Sequence, residues 1–406
     1  MVLLSGADPL RLNGALADLH AAIVSNLHMS LSEDQTAEDV EHRFHALLTL
    51  CRRARITRIG DLTGLDRVGL PVVQAVRPAA LSEVTSLGRG HSTAEAAIGA
   101  IMEALERYYA ESIPAEQIFF ATADELEIAD GLFENLLLAE RQGNWRSSKI
   151  SWIVGVDVIS GSRCPVPLEL VHTCYTDPPP AHDGFFLRTT TGLACHMDGC
   201  RAFLHGLFEC IERDAIARAF ATHGFFDRMR IAPTGLGDRV DQILSATALR
   251  GISSGLWLAP SPTGVPVVWC QTIEMGPGVP ILALPTEGYS AGPSLSAAAS
   301  TAMLEALSAR AGAISGARDD QTRKHYRKST DAVVATARQL ILEAPSGAVA
   351  ATETPAVISD LASLLERVTS AGLGPILAVP VGSDDETGVR CVRTVLPGAT
   401  PFFRLR

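Results

Sequence analysis

The sequence lacks the features that mark several large classes of protein. No run of about 18 uninterrupted apolar residues occurs, so we expect no membrane-spanning helix and no membrane partner. The segment after Met1 has no basic residues ahead of an apolar stretch, which a secretory signal would require. The eight cysteines contain no Cys-x-x-Cys pair and are too sparse among 406 residues for a disulfide scaffold. We therefore expect a reduced protein in the cytoplasm.

Positive charge and aromatic residues are scarce where a nucleic-acid binder needs them. The chain has 34 Lys and Arg residues against 45 Asp and Glu residues, a formal net charge of −11. Aromatic residues make up 5% and do not alternate with basic ones, so base stacking is not supported. No nucleic-acid partner is expected. The 47% of hydrophobic residues is enough to bury a large core.

Residue patterns predict an α/β fold in which mixed sheets are flanked by helices. Apolar residues at helical spacing predict an N-terminal helical segment over residues 1–55. Strands alternating with helices over 56–398 predict one α/β domain, followed by a C-terminal tail, 399–406. Within the domain, apolar runs predict strands that include 72–76, 265–272, 279–284, 375–379 and 389–396.

Three apolar-rich helices carry a similar sequence. They contain Glu103-Ala-Leu-Glu-Arg107, Glu209-Cys-Ile-Glu-Arg213 and Glu305-Ala-Leu-Ser-Ala-Arg310. The leading glutamates are about one hundred residues apart, which is too long for a solenoid repeat. The spacing favours duplicated subdomains, about 72–175 and 176–320, that contribute to one shared site.

The two Glu-x-x-Glu pairs are candidate metal ligands. Residues i and i+3 share a helix face, so the paired carboxylates repel each other unless a cation joins them. Such a face is ordinarily solvated, but these helices are apolar on most sides and should be buried, where acid pairs need partners. Mg²⁺ takes oxygen ligands and keeps substrate phosphates in its shell. We therefore predict a Mg²⁺ site formed by Glu103, Glu106, Glu209 and Glu212.

Two glycine-containing loops could meet phosphates. Residues 86–90 precede a helix that begins near Ser92, and their glycines would let backbone N–H groups approach an anion that Arg89 also reaches. The alternative is a simple helix cap. Arg318, within 316–320, could contact a phosphate or form a surface salt bridge, and spacing does not choose between these roles. No Walker A loop occurs.

Other motifs do not lead to a site. His196 and Cys200 lack the companion pair that zinc requires. The segment 251–255 matches the Gly-x-Ser-x-Gly elbow by letter only, because a helix-like stretch precedes it where the elbow needs a strand. We therefore predict no catalytic nucleophile.

Taken together, these residues resemble the YcaO family, which activates backbone amides with ATP. The resemblance extends from about Arg58 to Gly398. The matching segments occur in the same order as in the family: 61–71, 86–90 with 103–108, 191–194 with 209–214, 305–310 with 316–320, and 397–398.

The resemblance implies a YcaO-like fold with a central nucleotide cleft between the duplicated subdomains. It implies ATP, several Mg²⁺ ions on the paired glutamates, and phosphate contacts from Arg213 and Arg310. In the implied reaction a nucleophile adds to a peptide carbonyl, the oxyanion takes the γ-phosphoryl group, and phosphate leaves. The product is an azoline, a thioamide or an amidine, depending on the nucleophile. The full predicted nucleotide-binding set is Ser86, Arg89, Glu103, Glu209, Arg213, Arg310 and Arg318.

The chain departs from the family pattern at several positions. Arg89 replaces the usual Lys, Ser308 replaces a Gln, and Arg201 stands where an acidic ligand is common. The tail lacks the Pro-x-Pro-x-Pro ending of azoline-forming members, which favours thioamidation of a peptide or protein with a TfuA-like partner. Azoline formation with a separate partner protein is the first alternative. A catalytically impaired nucleotide-binding scaffold is the second, since an arginine cannot ligate Mg²⁺. The sequence leaves open whether the chain forms a homodimer.

Overall fold

The computed structural model describes residues 14–31, 40–141, 144–276, 280–316, 326, 331–343 and 355–402. Its helices are α1 (Gly14–Ser25), α2 (Val40–Arg53), α3 (Thr93–Glu111), α4 (Gly199–Ala221), α5 (Phe225–Arg228), α6 (Asp238–Ala248), α7 (Leu295–Ser315), α8 (Ala332–Leu342) and α9 (Leu361–Ser370). Its strands are β1 (Arg58–Asp61), β2 (Val72–Val76), β3 (Thr85–Arg89), β4 (Phe119–Ala121), β5 (Ile150–Asp157), β6 (Arg163–Pro167), β7 (Leu193–His196), β8 (Arg230–Ile231), β9 (Ile252–Leu258), β10 (Val267–Glu274), β11 (Thr286–Ala291), β12 (Leu377–Ser383) and β13 (Arg390–Val395).

The strands of the described residues form three sheets. One has the order β1-β2-β3, and a second has the order β11-β10-β9-β8. The third runs β4-β5-β12-β13-β7, with β6 paired to β5. Every described strand pair is antiparallel. This arrangement confirms the predicted α/β class, with helices flanking the sheets.

The third sheet separates two hydrophobic cores. Successive residues of a strand point to opposite faces. Accordingly, Leu377 and Val379 of β12 belong to the core that contains Ile101 of α3, whereas Ala378 belongs to the core that contains Phe203 of α4. The sheet therefore fixes α3 and α4 on opposite sides of the same strands.

The helices predicted around the repeated glutamates are present as α3, α4 and α7, and the helices predicted within 1–55 are present as α1 and α2. The side chains of Ser92, Asp198 and Ser294 cap α3, α4 and α7 respectively, and each accepts the backbone N–H three residues further on. The strand predicted over 279–284 is wrong: residues 280–284 form no strand, and the strand is β11.

Three strand–helix units, β3–α3, β7–α4 and β11–α7, close on one another. Each helix packs on its own strand and also on the strand of another unit: α3 contacts β7, α4 contacts β11, and α7 contacts β3. This cyclic packing surrounds a common centre with the three helices. The two-subdomain boundaries, 72–175 and 176–320, and the domain bounds stay predictions.

Two of these contacts depend on a glycine in the strand. A Cβ atom on Gly88 would overlap the carbonyl oxygen of Ala96 and the backbone nitrogen of Ala100 in α3. A Cβ atom on Gly288 would overlap the corresponding atoms of Ala302 and Ala306 in α7. Strand and helix therefore approach to backbone contact in both units.

Replacing Gly88 by alanine should destabilise the protein by about 3 kcal/mol, because the added methyl group meets backbone atoms that cannot move aside. Gly64→Ala is the matched control, since a Cβ atom there has no neighbour within 4 Å. Urea unfolding of the two variants measures the difference. Equal stability would contradict the close approach of β3 to α3.

Candidate functional site

Glu103 lies between its own helix and the adjacent strand. Its Oε2 accepts the backbone N–H of Leu87 in β3 at 3.0 Å, and its Oε1 accepts from Arg107 at 3.0 Å. The Arg107 guanidinium also binds Glu83 at 2.6 Å and the Ser86 hydroxyl at 2.9 Å. Ser86 is buried there. The structure thus shows Ser86 positioning Arg107, and its predicted contact with nucleotide stays a prediction.

Glu209 repeats this arrangement on α4. Its Oε2 accepts the backbone N–H of Gly192 at 3.0 Å, and its Oε1 lies 3.4 Å from Arg213 four residues on. The second glutamate of α3, Glu106, reaches across to the next unit and accepts the N–H of Cys195 in β7 at 3.0 Å. The first Glu-x-x-Glu pair is therefore held by two different sheets.

Buried glutamates on both helices have raised pKa values. Burial raises the pKa of Glu106 well above its usual value, and the charges of Glu103 and Glu209 raise it further. Burial likewise raises the pKa of Glu212 to about 8, with Glu305 and Glu209 adding to the increase and Arg213 opposing it. The charges of Glu106 and Glu209 thus act on each other between the two helices, and the convergence of all four glutamates on one cation stays a prediction.

The donor set suits Mg²⁺, which prefers carboxylate oxygens. Glu212 Oε1 is buried and has no hydrogen-bond partner among the described residues, although Arg213 Nη1 lies 3.4 Å away. Within the same residues, no three His, Cys, Asp or Glu side chains are already grouped closely enough to hold a metal ion. The carboxylates would have to move together on binding, and their assignment as ligands stays a prediction.

Two arginines lie within reach of this cluster. Arg89, at the end of β3, lies 3.8 Å from Glu305 of α7 and is partly exposed. Burial raises the pKa of Glu103 and Glu212, and the charge of Arg89 opposes that rise at both. Arg213 lies between Glu209 and Glu212 with its guanidinium 5.8 Å from the centre of the Tyr289 ring. Both arginines therefore lie beside acids of the repeated helices, and their contact with phosphate stays a prediction.

Arg310 is engaged elsewhere. Its side chain is 2% exposed and binds Asp66 through two N–H groups, at 3.0 and 3.2 Å, and Glu274 at 2.7 Å. Glu274 also binds Arg67 at 2.9 Å. A phosphate would have to displace Asp66 or Glu274, so the predicted phosphate contact of Arg310 stays a prediction. Arg318 lies outside the described residues.

Sequence reasoning left Glu305, Asp66 and Glu274 out of the site. Glu305 had a signal, because it leads the third of the repeated helices, and the structure brings it to Arg89 and Glu212. Asp66 lies within the segment 61–71 that carried the family resemblance. Glu274 had no signal, since nothing in a fully buried strand marks one acid as the partner of a distant arginine.

The departure at Arg201 is on the surface of the first turn of α4, where its backbone N–H donates to the Asp198 cap. No helix in the described part of the chain is long and apolar enough to cross a membrane.

Comparisons with known proteins point to one family. A family model described as YcaO cyclodehydratase, ATP- and Mg²⁺-binding, matches residues 87–400. An uncharacterized protein of Mycobacterium tuberculosis is 32% identical over 376 residues, covering 89% of this chain and 79% of that protein. An uncharacterized protein of Rhizobium leguminosarum bv. trifolii, encoded in the 3′ region of tfuA, is 28% identical over 368 residues, covering 87% and 86%.

Among solved structures, YcaO from Methanopyrus kandleri bound with AMPPCP and Mg²⁺ superposes with a TM-score of 0.66. The two sequences are 22% identical, and the superposition covers 92% of this chain and 94% of that one. At this identity the likeness shows the fold.

Proposed function

The chain belongs to the YcaO family of ATP- and Mg²⁺-binding enzymes, and from that premise we propose that it phosphorylates a backbone amide of a peptide or protein substrate. The observation that carries the proposal is the convergence of the two Glu-x-x-Glu-Arg helices on one short segment: Glu209 of α4 accepts the backbone N–H of Gly192, and Glu106 of α3 accepts that of Cys195 in β7. Burial is the main cause of the raised pKa values of Glu106 and Glu212, and a bound cation would stabilise both carboxylates.

In the proposed site, Glu103, Glu106, Glu209 and Glu212 hold Mg²⁺, which would neutralise the charge of the phosphates. Arg89 and Arg213 bind phosphate oxygens, and Arg213 is kept in position by Glu209. Phosphoryl transfer needs positioning and charge neutralisation more than a protein nucleophile. The attacking group therefore comes from the substrate or from a co-substrate, and the amide oxygen accepts the γ-phosphoryl group.

We propose thioamidation with a TfuA-like partner as the outcome of this activation. The relative encoded in the 3′ region of tfuA supports it. Azoline formation with another partner protein is the alternative, and the two leave different marks on a peptide. Thioamidation exchanges one oxygen for sulfur, whereas azoline formation removes one water.

Calorimetric titration of the full chain with AMPPCP, with and without Mg²⁺, tests the nucleotide site. We expect binding that requires Mg²⁺. Absence of binding, even with the partner protein present, would overturn the proposal. Mass spectrometry of peptides from cells that produce the chain with a TfuA-like protein then separates the two outcomes, and loss of water without sulfur uptake would overturn thioamidation.

The departure at Arg201 favours a second candidate, a scaffold that binds nucleotide without chemistry. Restoring an acid with Arg201→Glu should raise ATP turnover if a missing ligand impairs the wild-type chain. Turnover by the wild type that Arg201→Glu leaves unchanged would remove the scaffold from consideration.

A further inference from the structure

A pocket lies beside Arg213. It is bounded by β13, by the chain that leads into β7, and by residues 399–402. Most of its wall is apolar, contributed by Leu136, Leu170, Leu187, Leu396 and Phe402. Arg213 lies at the boundary between this pocket and the proposed phosphate site, and the other residues that line the pocket play no part in the proposed phosphoryl transfer.

Arg393 of β13 lines the pocket with an incompletely paired guanidinium. The residue is 4% exposed. Its Nη2 donates to the carbonyl oxygen of Thr189 at 2.7 Å, while Nε and Nη1 are buried and have no hydrogen-bond partner in the described part of the chain. A buried charge without a counter-charge costs several kcal/mol, so a partner for this group is strongly favoured.

Tyr175 supplies a second unpaired donor nearby. Its hydroxyl is buried without a hydrogen-bond partner among the described residues. Burial raises the pKa of Tyr175 to about 12, and the charge of Arg393 is the largest effect opposing that rise. The Tyr175 ring also lies 5.6 Å from the guanidinium of Arg188, the chain neighbour of the Thr189 that Arg393 binds, so the two unpaired groups lie in the same part of the fold.

We propose that Arg393 and Tyr175 form a binding site for an organic monocarboxylate with an apolar body, presented by the substrate as an acidic side chain or a chain end. One carboxylate would accept hydrogen bonds from both donors and neutralise the buried guanidinium of Arg393. The charge of Arg213 is already balanced by Glu209 and Glu212. A dianion such as phosphate would bring an uncompensated negative charge beside those acids, and the apolar walls favour a carbon body.

The assignment of the ligand to the substrate rests on the proposed amide activation, but binding can be measured without activity. The probes are N-acetyl-leucine, its neutral amide N-acetyl-leucinamide, and inorganic phosphate, each titrated into the full wild-type chain. We expect N-acetyl-leucine to bind at least about tenfold more tightly than either of the others. Equal binding of acid and amide would overturn the site, and tighter binding of phosphate would overturn the ligand class.

Arg393→Gln should weaken binding of N-acetyl-leucine by at least about tenfold, and Arg393→Lys should weaken it less, because lysine keeps the charge without the planar donors. Arg390→Gln on the same strand is the control, since Arg390 is partly exposed and binds Asp385. Binding by Arg393→Gln as tight as by the wild type would also overturn the site. AMPPCP should bind Arg393→Gln as tightly as it binds the wild type. Titration with AMPPCP therefore tests the nucleotide proposal independently of the carboxylate site.

Discussion

Replacing Glu106 and Glu212 together by glutamine will raise the thermal stability of the ligand-free protein and abolish its Mg²⁺-dependent binding of AMPPCP. Both carboxyls have raised pKa values because burial and neighbouring acids disfavour their charge. A neutral amide of the same shape removes that cost. The affinity for the Mg²⁺ complex should fall at least about a hundredfold, because even groups that only support a metal ligand are worth about ten- to a hundredfold.

Glu111→Gln is the matched control for this double variant. Glu111 lies on α3 as well, but it forms a buried ion pair with Arg77 and accepts the N–H of Leu81. Removing its charge should lower stability by about 3 kcal/mol and leave nucleotide binding intact. A double variant that is less stable than the wild type, or that binds AMPPCP normally, would show that Glu106 and Glu212 do not share a cation site.

The stability of the ligand-free protein will fall as the pH rises from about 5 to about 8. The pKa of Glu212 is raised from 4.5 to about 8, so over this range the unfolded chain loses a proton that the folded chain keeps. The proton on Glu212 contributes its full stabilisation below the unfolded-state pKa of 4.5. Above that pH its contribution to the free energy of unfolding falls by about 1.4 kcal/mol per pH unit, until the pH passes the folded-state pKa of about 8. Urea unfolding measured across the range records the slope.

The same proton should compete with Mg²⁺. Binding of AMPPCP with Mg²⁺ should strengthen as the pH approaches about 8, because metal ligands must be deprotonated. Glu212→Gln isolates the effect, since it should flatten both the stability slope and this gain in affinity. Parallel pH profiles for the wild type and Glu212→Gln would exclude Glu212 as the titrating group.

Much of the candidate site could be predicted because local sequence patterns determine the helices that carry it. Helical periodicity and cap residues such as Ser92 fix the helices, and the i, i+3 spacing fixes which glutamates share a face. The repeat of the motif indicated that the pairs from α3 and α4 meet. No local pattern could show how the three sheets contact one another, and that packing decides which strand lies beside which helix.

The misplaced strand shows the limit of apolar patterns. Residues 280–284 are mostly apolar but form no strand, whereas β11 is the less apolar segment Thr286–Ala291. Gly288 stands in β11 because α7 leaves no room for a side chain. Propensity disfavours glycine in a strand, so the contact overrides the local signal.

The pairing of Arg310 with Asp66 and Glu274 was equally hidden. Asp66 is 244 residues away in sequence, and the pairing is visible only after β10, α7 and the segment around Asp66 have packed. The family resemblance implied a phosphate contact for Arg310, and the structure shows it bound to two protein carboxylates.

The edge position of β7 in its sheet determines the order in which the elements of the candidate site can fold. β7 carries the N–H of Cys195 that holds Glu106, and its described strand partner is β13, which ends at Val395. The chain emerges from the ribosome N-terminus first, so both Glu-x-x-Glu helices emerge long before β13, the strand that pairs with β7. We therefore expect the acids to bind their cation only after β13 has emerged and paired with β7, so nucleotide binding follows the folding of this sheet rather than preceding it.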